Sequence, residues 1–147
     1  MANIKQAAII TKGHITTPDR AGETAEHVFT YTFDKAFTAA TDILELGIFI
    51  PFAKIMDVDV ADENIAGVNW TIGFMSGDVG SVDPARTSSN EFWNAQAAGT
   101  PNRMTLVAIQ GLASNGEVGK SIGVKASADI AAAANKKIHL RVRYKMQ

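Results

Sequence analysis

Cysteine is absent from this 147-residue chain, and proline occurs only 4 times. Without cysteine there can be neither a disulfide nor a thiolate metal site, which suits a reducing compartment or assembly in the cytoplasm. No apolar run approaches the length of about 18 residues that a membrane span takes. The N-terminal MANIKQAAIITKGHITT also lacks the charged-then-apolar layout of a secretory leader. A soluble, non-secreted protein with no membrane partner is expected. The net charge is −1, without the basic excess that usually marks a nucleic-acid binder, so no nucleic-acid partner is expected. Catalytic constellations are missing too. His14, His27 and His139 share no metal spacing, no G-x-S-x-G elbow occurs, and no His–Asp pair can be nominated. The reading is a non-enzyme with no cofactor and no metal.

What the chain does have is a two-residue rhythm. Near its end Ile138, Leu140, Val142, Tyr144 and Met146 alternate with Lys137, His139, Arg141, Arg143 and Lys145. Period two puts the apolar set on one face of a strand and the basic set on the other. Tyr144 falls out of phase with the arginines, which again argues against base stacking. One domain of this size buries roughly 70% of its unfolded surface and needs no staples.

The near-zero net charge hides an asymmetry. Residues 41–100 carry two basic groups (Lys54, Arg86) against nine acidic ones, whereas residues 101–147 carry eight basic against two acidic. Either acidic and basic strands lie side by side in one sheet and neutralise each other, or the acidic part of one copy meets the basic part of the next.

Residues 1–25 are polar, have no sustained period and are punctuated by Gly13, Pro18 and Gly22. They read as an N-terminal arm that packs against something, a neighbouring copy included. Residues 26–147 read as the β-sandwich domain. Its strand signals run in order. Glu26–Phe33 places Phe29, Tyr31 and Phe33 on one face; Asp42–Ile50 is apolar on both faces, as a covered strand would be, and Pro51 stops it. Lys54–Val60 sets Met56, Val58 and Val60 against Asp57 and Asp59, and Val68–Met75 turns Val68, Trp70, Ile72 and Phe74 inward. Arg103–Leu112 and Glu117–Ser127 flank Asn115-Gly116, a strong hairpin signal. Between strands, 76–102 is a long connection in which Asn90–Ala98 reads as a short helix pinned by Phe92 and Trp93. Ala128–Asn135 is a helical turn or a tight corner. Many short strands with uneven loops point to an all-β fold: a jelly-roll-like antiparallel β-sandwich with an extended N-terminal arm.

Three near-motifs carry less than they promise. Ser114–Ser121 (SNGEVGKS) nearly matches a phosphate-cradling loop, but that loop needs a helix opening at its lysine; the following IGVKASA alternates like a strand. Asp57, Asp59, Asp62, Glu63 and Asn64 suggest calcium by composition, yet a salt bridge to a basic strand fits their strand spacing better. The Gly- and Asp-rich stretch Gly77–Asp83 reads as a turn before it reads as a cation site.

Ile43–Met75 (ILELGIFIPFAKIMDVDVADENIAGVNWTIGFM) joins an apolar strand ending in Ile-Pro, a small turn, the alternating IMDVDV and a strand ending in Gly-Phe. A Gly-Asp loop follows, then the Asn-Gly hairpin and the closing IHLRVRY. This order resembles small tailed-phage virion proteins with a jelly-roll β-sandwich, those that decorate or cement the capsid, over about residues 26–147. The resemblance implies a bacteriophage structural protein bound in many copies, as a homotrimer, to the outside of the head, with the major capsid protein as its partner. It places the protein on the capsid surface of the virion, made in the host cytoplasm. Interface candidates are then Ile4, Ile9, Ile10, His14 and Ile15 in the arm, Trp93 in the long connection, and Arg141 and Arg143 on the basic face. The alternative is a tail, neck or fibre component, or a receptor- or glycan-binding module of the same fold, with Trp93 as its aromatic contact.

Overall fold

The computed structural model describes residues 2–12, 23–49, 53–99 and 119–146. The elements in chain order are β1 (Asn3–Gln6), α1 (Ala8–Lys12), β2 (Thr24–Thr32), β3 (Asp42–Phe49), β4 (Ala53–Glu63), β5 (Asn69–Phe74), β6 (Trp93–Ala97), β7 (Lys120–Ala126) and β8 (Lys137–Met146). They form a five-stranded sheet, β1-β3-β7-β5-β6, and a three-stranded sheet, β2-β8-β4. All pairs are antiparallel except β1 on β3. The chain is thus an all-β, two-sheet sandwich. The expected strand Arg103–Leu112 and the Asn115-Gly116 turn lie outside the described residues.

Alternation fills the space between the sheets. Ile138, Leu140, Val142 and Tyr144 of β8 meet Phe29 of β2, Leu44 of β3, Trp70 and Ile72 of β5, and Ile122 and Val124 of β7 in one buried cluster. Phe33 stands edge-on to Tyr31 and Phe37 and stacks against Trp70, at centroid distances of 5.0, 5.8 and 6.1 Å. The Trp70 indole satisfies its N–H on Asp62 at 2.9 Å. The alanine-rich stretch after β7 is a corner: Phe37 and Ile130 exchange two backbone hydrogen bonds of 2.9 Å.

Two expectations are corrected. Met56 does not share a face with Val58 and Val60, because a bulge between Ile55 and Asp57 shifts the phase; an extra residue in one strand moves the side chains that precede it to the other face. Ile55 takes the buried position and Met56 is 47% exposed. The helix expected over Asn90–Ala98 is instead the strand β6, paired with β5 at Asn69–Ala97, Trp70–Gln96 and Ile72–Trp93. The edge of β5 offers this segment ladder bonds, and that tertiary pairing overrides its helix-compatible composition. The register breaks near Ala95, which adopts a positive φ of 48°.

The outer face of the larger sheet is sealed by the connection between β5 and β6. Gly73 and Gly123 are cross-strand neighbours. A methyl group on Gly73 would strike Ser89 and Glu91, and one on Gly123 would strike Ser88 and Met75. The connection is fastened by a buried ion pair. Arg86 Nη2 lies 3.1 Å from Glu45 Oε1 on β3, and neither side chain is more than a few per cent exposed. Arg86 also donates to Ser76 O at 2.7 Å and Ser81 O at 2.6 Å, so the cation held by the Gly/Asp-rich turn is the chain's own arginine. Burial alone would push the Glu45 carboxyl up. The Arg86 guanidinium, the Gly80 N–H, the Ser121 hydroxyl and the Gln6 amide outweigh it and hold the group below its ordinary 4.5.

Gly123→Ala should destabilise the fold by about 1–3 kcal/mol through overpacking, read by urea unfolding. A carboxyl with a lowered native pKa stabilises the fold above its unfolded pKa, and that contribution is lost as pH falls through the native value. The thermal midpoint should therefore fall as pH drops below the ordinary 4.5 and through the lowered native value. The acid limb should be shallower in Glu45→Gln, although that variant starts lower at neutral pH.

Candidate docking face

The two outer faces of the sandwich differ in kind. That of the larger sheet lies beneath the β5–β6 connection. That of the three-stranded sheet has no element packed on it among the described residues, and period two in β8 fixes what it shows: Lys137, His139, Arg141, Arg143 and Lys145 along the central strand. Register then decides their neighbours. On the β4 side Asp57 stands opposite Arg143, Asp59 opposite Arg141 and Glu63 opposite Lys137; on the β2 side Glu26 stands opposite Arg143, Val28 opposite Arg141 and Thr30 opposite His139.

A row of cations thus runs between two partly acidic strands. Arg141 pairs with Asp59, and Arg143 Nη2 lies 3.8 Å from Glu26. His139 shares a 2.8 Å hydrogen bond with Thr30 through Nδ1 and places Nε2 3.3 Å from Glu63. The Asp59 carboxylate, first by its hydrogen bond and then by its charge, raises the Arg141 pKa. The first of the two charge readings holds within the chain: acidic and basic strands neutralise each other in one sheet. Two apolar side chains interrupt this lattice, Val28 at 50% exposure and Met56 at 47%. Arginine, methionine and paired charge on a flat, open surface are what a protein partner can use.

The expected interface residues divide among several places. Arg141 and Arg143 lie on this face, each with nearly half its side chain exposed. Ile4 and Ile10 are half-buried on β1 and α1, and Ile9 packs against the core. Ile4 also lines a groove of about 770 Å³ between β1 and the Thr30–Thr32 end of β2. His14 and Ile15 lie outside the described residues. Trp93 is a correction: its side chain is 1% exposed and its indole N–H donates to Gln96 O at 3.0 Å, so it offers no surface to a sugar or a protein. The near-phosphate motif is likewise resolved. Lys120 opens a strand and not a helix, and its ammonium sits 5.0 Å from the Phe74 ring centroid. Sequence reasoning did not nominate Val28, Met56 or Glu26. Only the bulge exposes Met56, and only the β2–β8 register brings Glu26 to Arg143.

The fold is an all-β sandwich with one covered and one open outer face, and its function has to come from similarity to known structures. The chain is 31% identical to a chain of the capsid of Ralstonia phage GP4, covers 98% of both chains and superposes with a TM-score of 0.79. It thus belongs to the phage capsid proteins, as a virion structural component. It is also similar to chains of the cyanophage Pam1 capsid asymmetric unit (16% identity, 92% and 95% of the two chains, TM-score 0.49) and of the acid-stable capsid of Helicobacter pylori bacteriophage KHP30 (13%, 84% and 92%, 0.41); neither carries weight here. No family model and no curated protein matches the chain.

Replacing both Arg141 and Arg143 by alanine should leave the thermal midpoint close to that of the unmodified protein, because exposed pairs contribute little to stability. A large loss of stability would mean that the charged lattice holds the sheet together and is not a surface open to a partner.

Proposed function

We propose that this chain is a decoration or cement protein with a jelly-roll sandwich, bound in many copies to the outside of the phage head and stabilising it. In this reading its partners are the major capsid protein and further copies of itself, and it performs no catalysis. It is made in the host cytoplasm and takes its place on the capsid surface. The observation that carries the proposal is the pairing of full-length similarity to a phage capsid chain with an open, charge-patterned outer face on one side of the sandwich. A cement protein needs a rigid body and a complementary face. It stabilises the shell because it binds the assembled form and not the loose subunits.

Self-association, with a trimer as the expected form, draws support from the sheet edges. β1 and β6 are short, β6 has a broken register, and β4 carries a bulge and acidic side chains; each is a familiar way to blunt an edge. β2 has neither a bulge nor a break, and its one acidic side chain is Glu26. It runs nine residues in unbroken register, and no described strand pairs with its outer edge. Burial of Trp93 takes away the aromatic platform on which a glycan-binding reading rested.

Purified protein added to heads that lack it should appear by electron microscopy as many regularly spaced copies on the outer surface. Sedimentation should give three times the mass of one chain. Arg141→Glu with Arg143→Glu should weaken shell binding by about tenfold or more while leaving a folded protein. Density confined to the tail or neck, or undiminished binding by the charge-reversed protein, would overturn the proposal. Charge reversal is a cleaner test than removing residues 2–25, since that deletion strips β1 from β3.

A further inference from the structure

The Glu45 carboxylate gathers contacts from three separate parts of the chain. From the β5–β6 connection come Arg86 Nη2 at 3.1 Å and the Gly80 N–H at 2.9 Å; from β7 comes the Ser121 hydroxyl; from β1 comes the Gln6 amide, which reaches Oε2 at 2.8 Å. The same Gln6 nitrogen also donates to Gly80 O at 2.9 Å, so one side chain joins the arm both to the ion pair and to the connection. A second tie runs from Ala2 N to Pro84 O at 3.1 Å. Gly80 can offer its N–H to Glu45 and its carbonyl to Gln6 at a φ of 82°, a backbone shape open to glycine.

We propose that β1 and the connection over residues 76–86 form one conformational unit, latched to the sandwich through Glu45 and Arg86, that opens and closes as a whole. The reason is the instability of a half-open state. If the connection left alone, Glu45 would lose Arg86 and the Gly80 N–H together, and Gln6 would lose its acceptor on Gly80. If β1 left alone, Glu45 Oε2 and Gly80 O would both lose their Gln6 donor. The arm strand is four residues long and among the described residues pairs on one side only; beyond that ladder it is held by Asn3 and Lys5, both on Asp42 at 3.1 and 3.5 Å, and by the buried Ala7 that follows it. The tip of the connection shows Val79 and Val82, at 39% and 67% exposure. A partner gripping that tip alters the arm, and one gripping the arm alters the tip by the same coupling free energy. The latch is a property of the isolated chain and stands whether or not the decoration role does.

Native-state hydrogen exchange with mass spectrometry on the isolated full chain tests it. In the unmodified protein, residues 2–7 and 77–86 should exchange with protection equal within about threefold. Gln6→Ala leaves the ion pair in place; it should lower protection of both segments by a common factor, with 138–144 remaining better protected than either. Glu45→Gln should lower both by about tenfold or more, with 138–144 still the better protected. Loosening of residues 2–7 alone in Gln6→Ala, or of 77–86 alone in Glu45→Gln, would overturn the proposal. So would collapse of the whole fold in Glu45→Gln, which would place the ion pair in the global core and not in a separable latch.

Discussion

Strand β8 occupies the centre of its sheet, and its two faces carry opposite duties. Inward, Ile138, Leu140, Val142 and Tyr144 are among the least exposed side chains of the core. Outward, the intervening cations form the spine of the charged lattice. The two sets cannot be traded against each other, because a one-residue slip would drive four cationic side chains and His139 into the core. Pairing on both sides enforces that register. Nine residues of β2 and ten of β4 are matched to it, and the bulge in β4 falls outside the stretch from Val58 to Glu63 that pairs in unbroken sequence.

The larger sheet solves a different problem. Its central strands are buried on both faces, which requires a cover, and the cover is irregular chain with polar backbone groups that need partners. Glycines at 73 and 123 let the connection lie close, and Arg86 supplies hydrogen bonds to its carbonyls from inside. A buried ion pair is weak evidence of net stability, since desolvation offsets much of the attraction. Its value lies in geometry: a guanidinium bonded to Ser76 O, Ser81 O and Glu45 at once admits few arrangements of the connection.

Most of the fold could be read from the residues because most of it rests on local alternation. The buried and exposed faces of β8 and the inward row of β5 follow from period two, and the doubly covered β3 from a run that is apolar on both faces. The pairing of Asp59 with the basic strand followed from complementary charge. What could not be read depends on non-local fit. Met56 reverses its face because one residue is inserted into the pairing. Asn90–Ala98 has alanines and aromatics that suit a helix, yet the free edge of β5 claims it as a strand. Glu45 and Arg86 lie 41 residues apart, and neither neighbourhood announces the other. Trp93 sits in a loop by sequence and in the core by structure, because β6 turns it onto Ile72.

In the proposed role, the open face would owe its selectivity to pattern and not to total charge. Arg141 and Arg143 already have acidic partners, so the face as a whole exerts little long-range pull, and at physiological salt an unpaired charge would be felt over only about 8 Å. A partner must instead compete, residue by residue, with Asp59 and Glu26 for the arginines, at strand spacings of about 4.8 Å. Few surfaces present opposite charges in that spacing beside recesses for Val28 and Met56. An ordered shell repeats one such surface many times, and loose subunits need not complete it. A face balanced within itself and matched to a formed lattice would favour the assembled state while leaving the free protein soluble, since like copies gain little by pairing faces already satisfied.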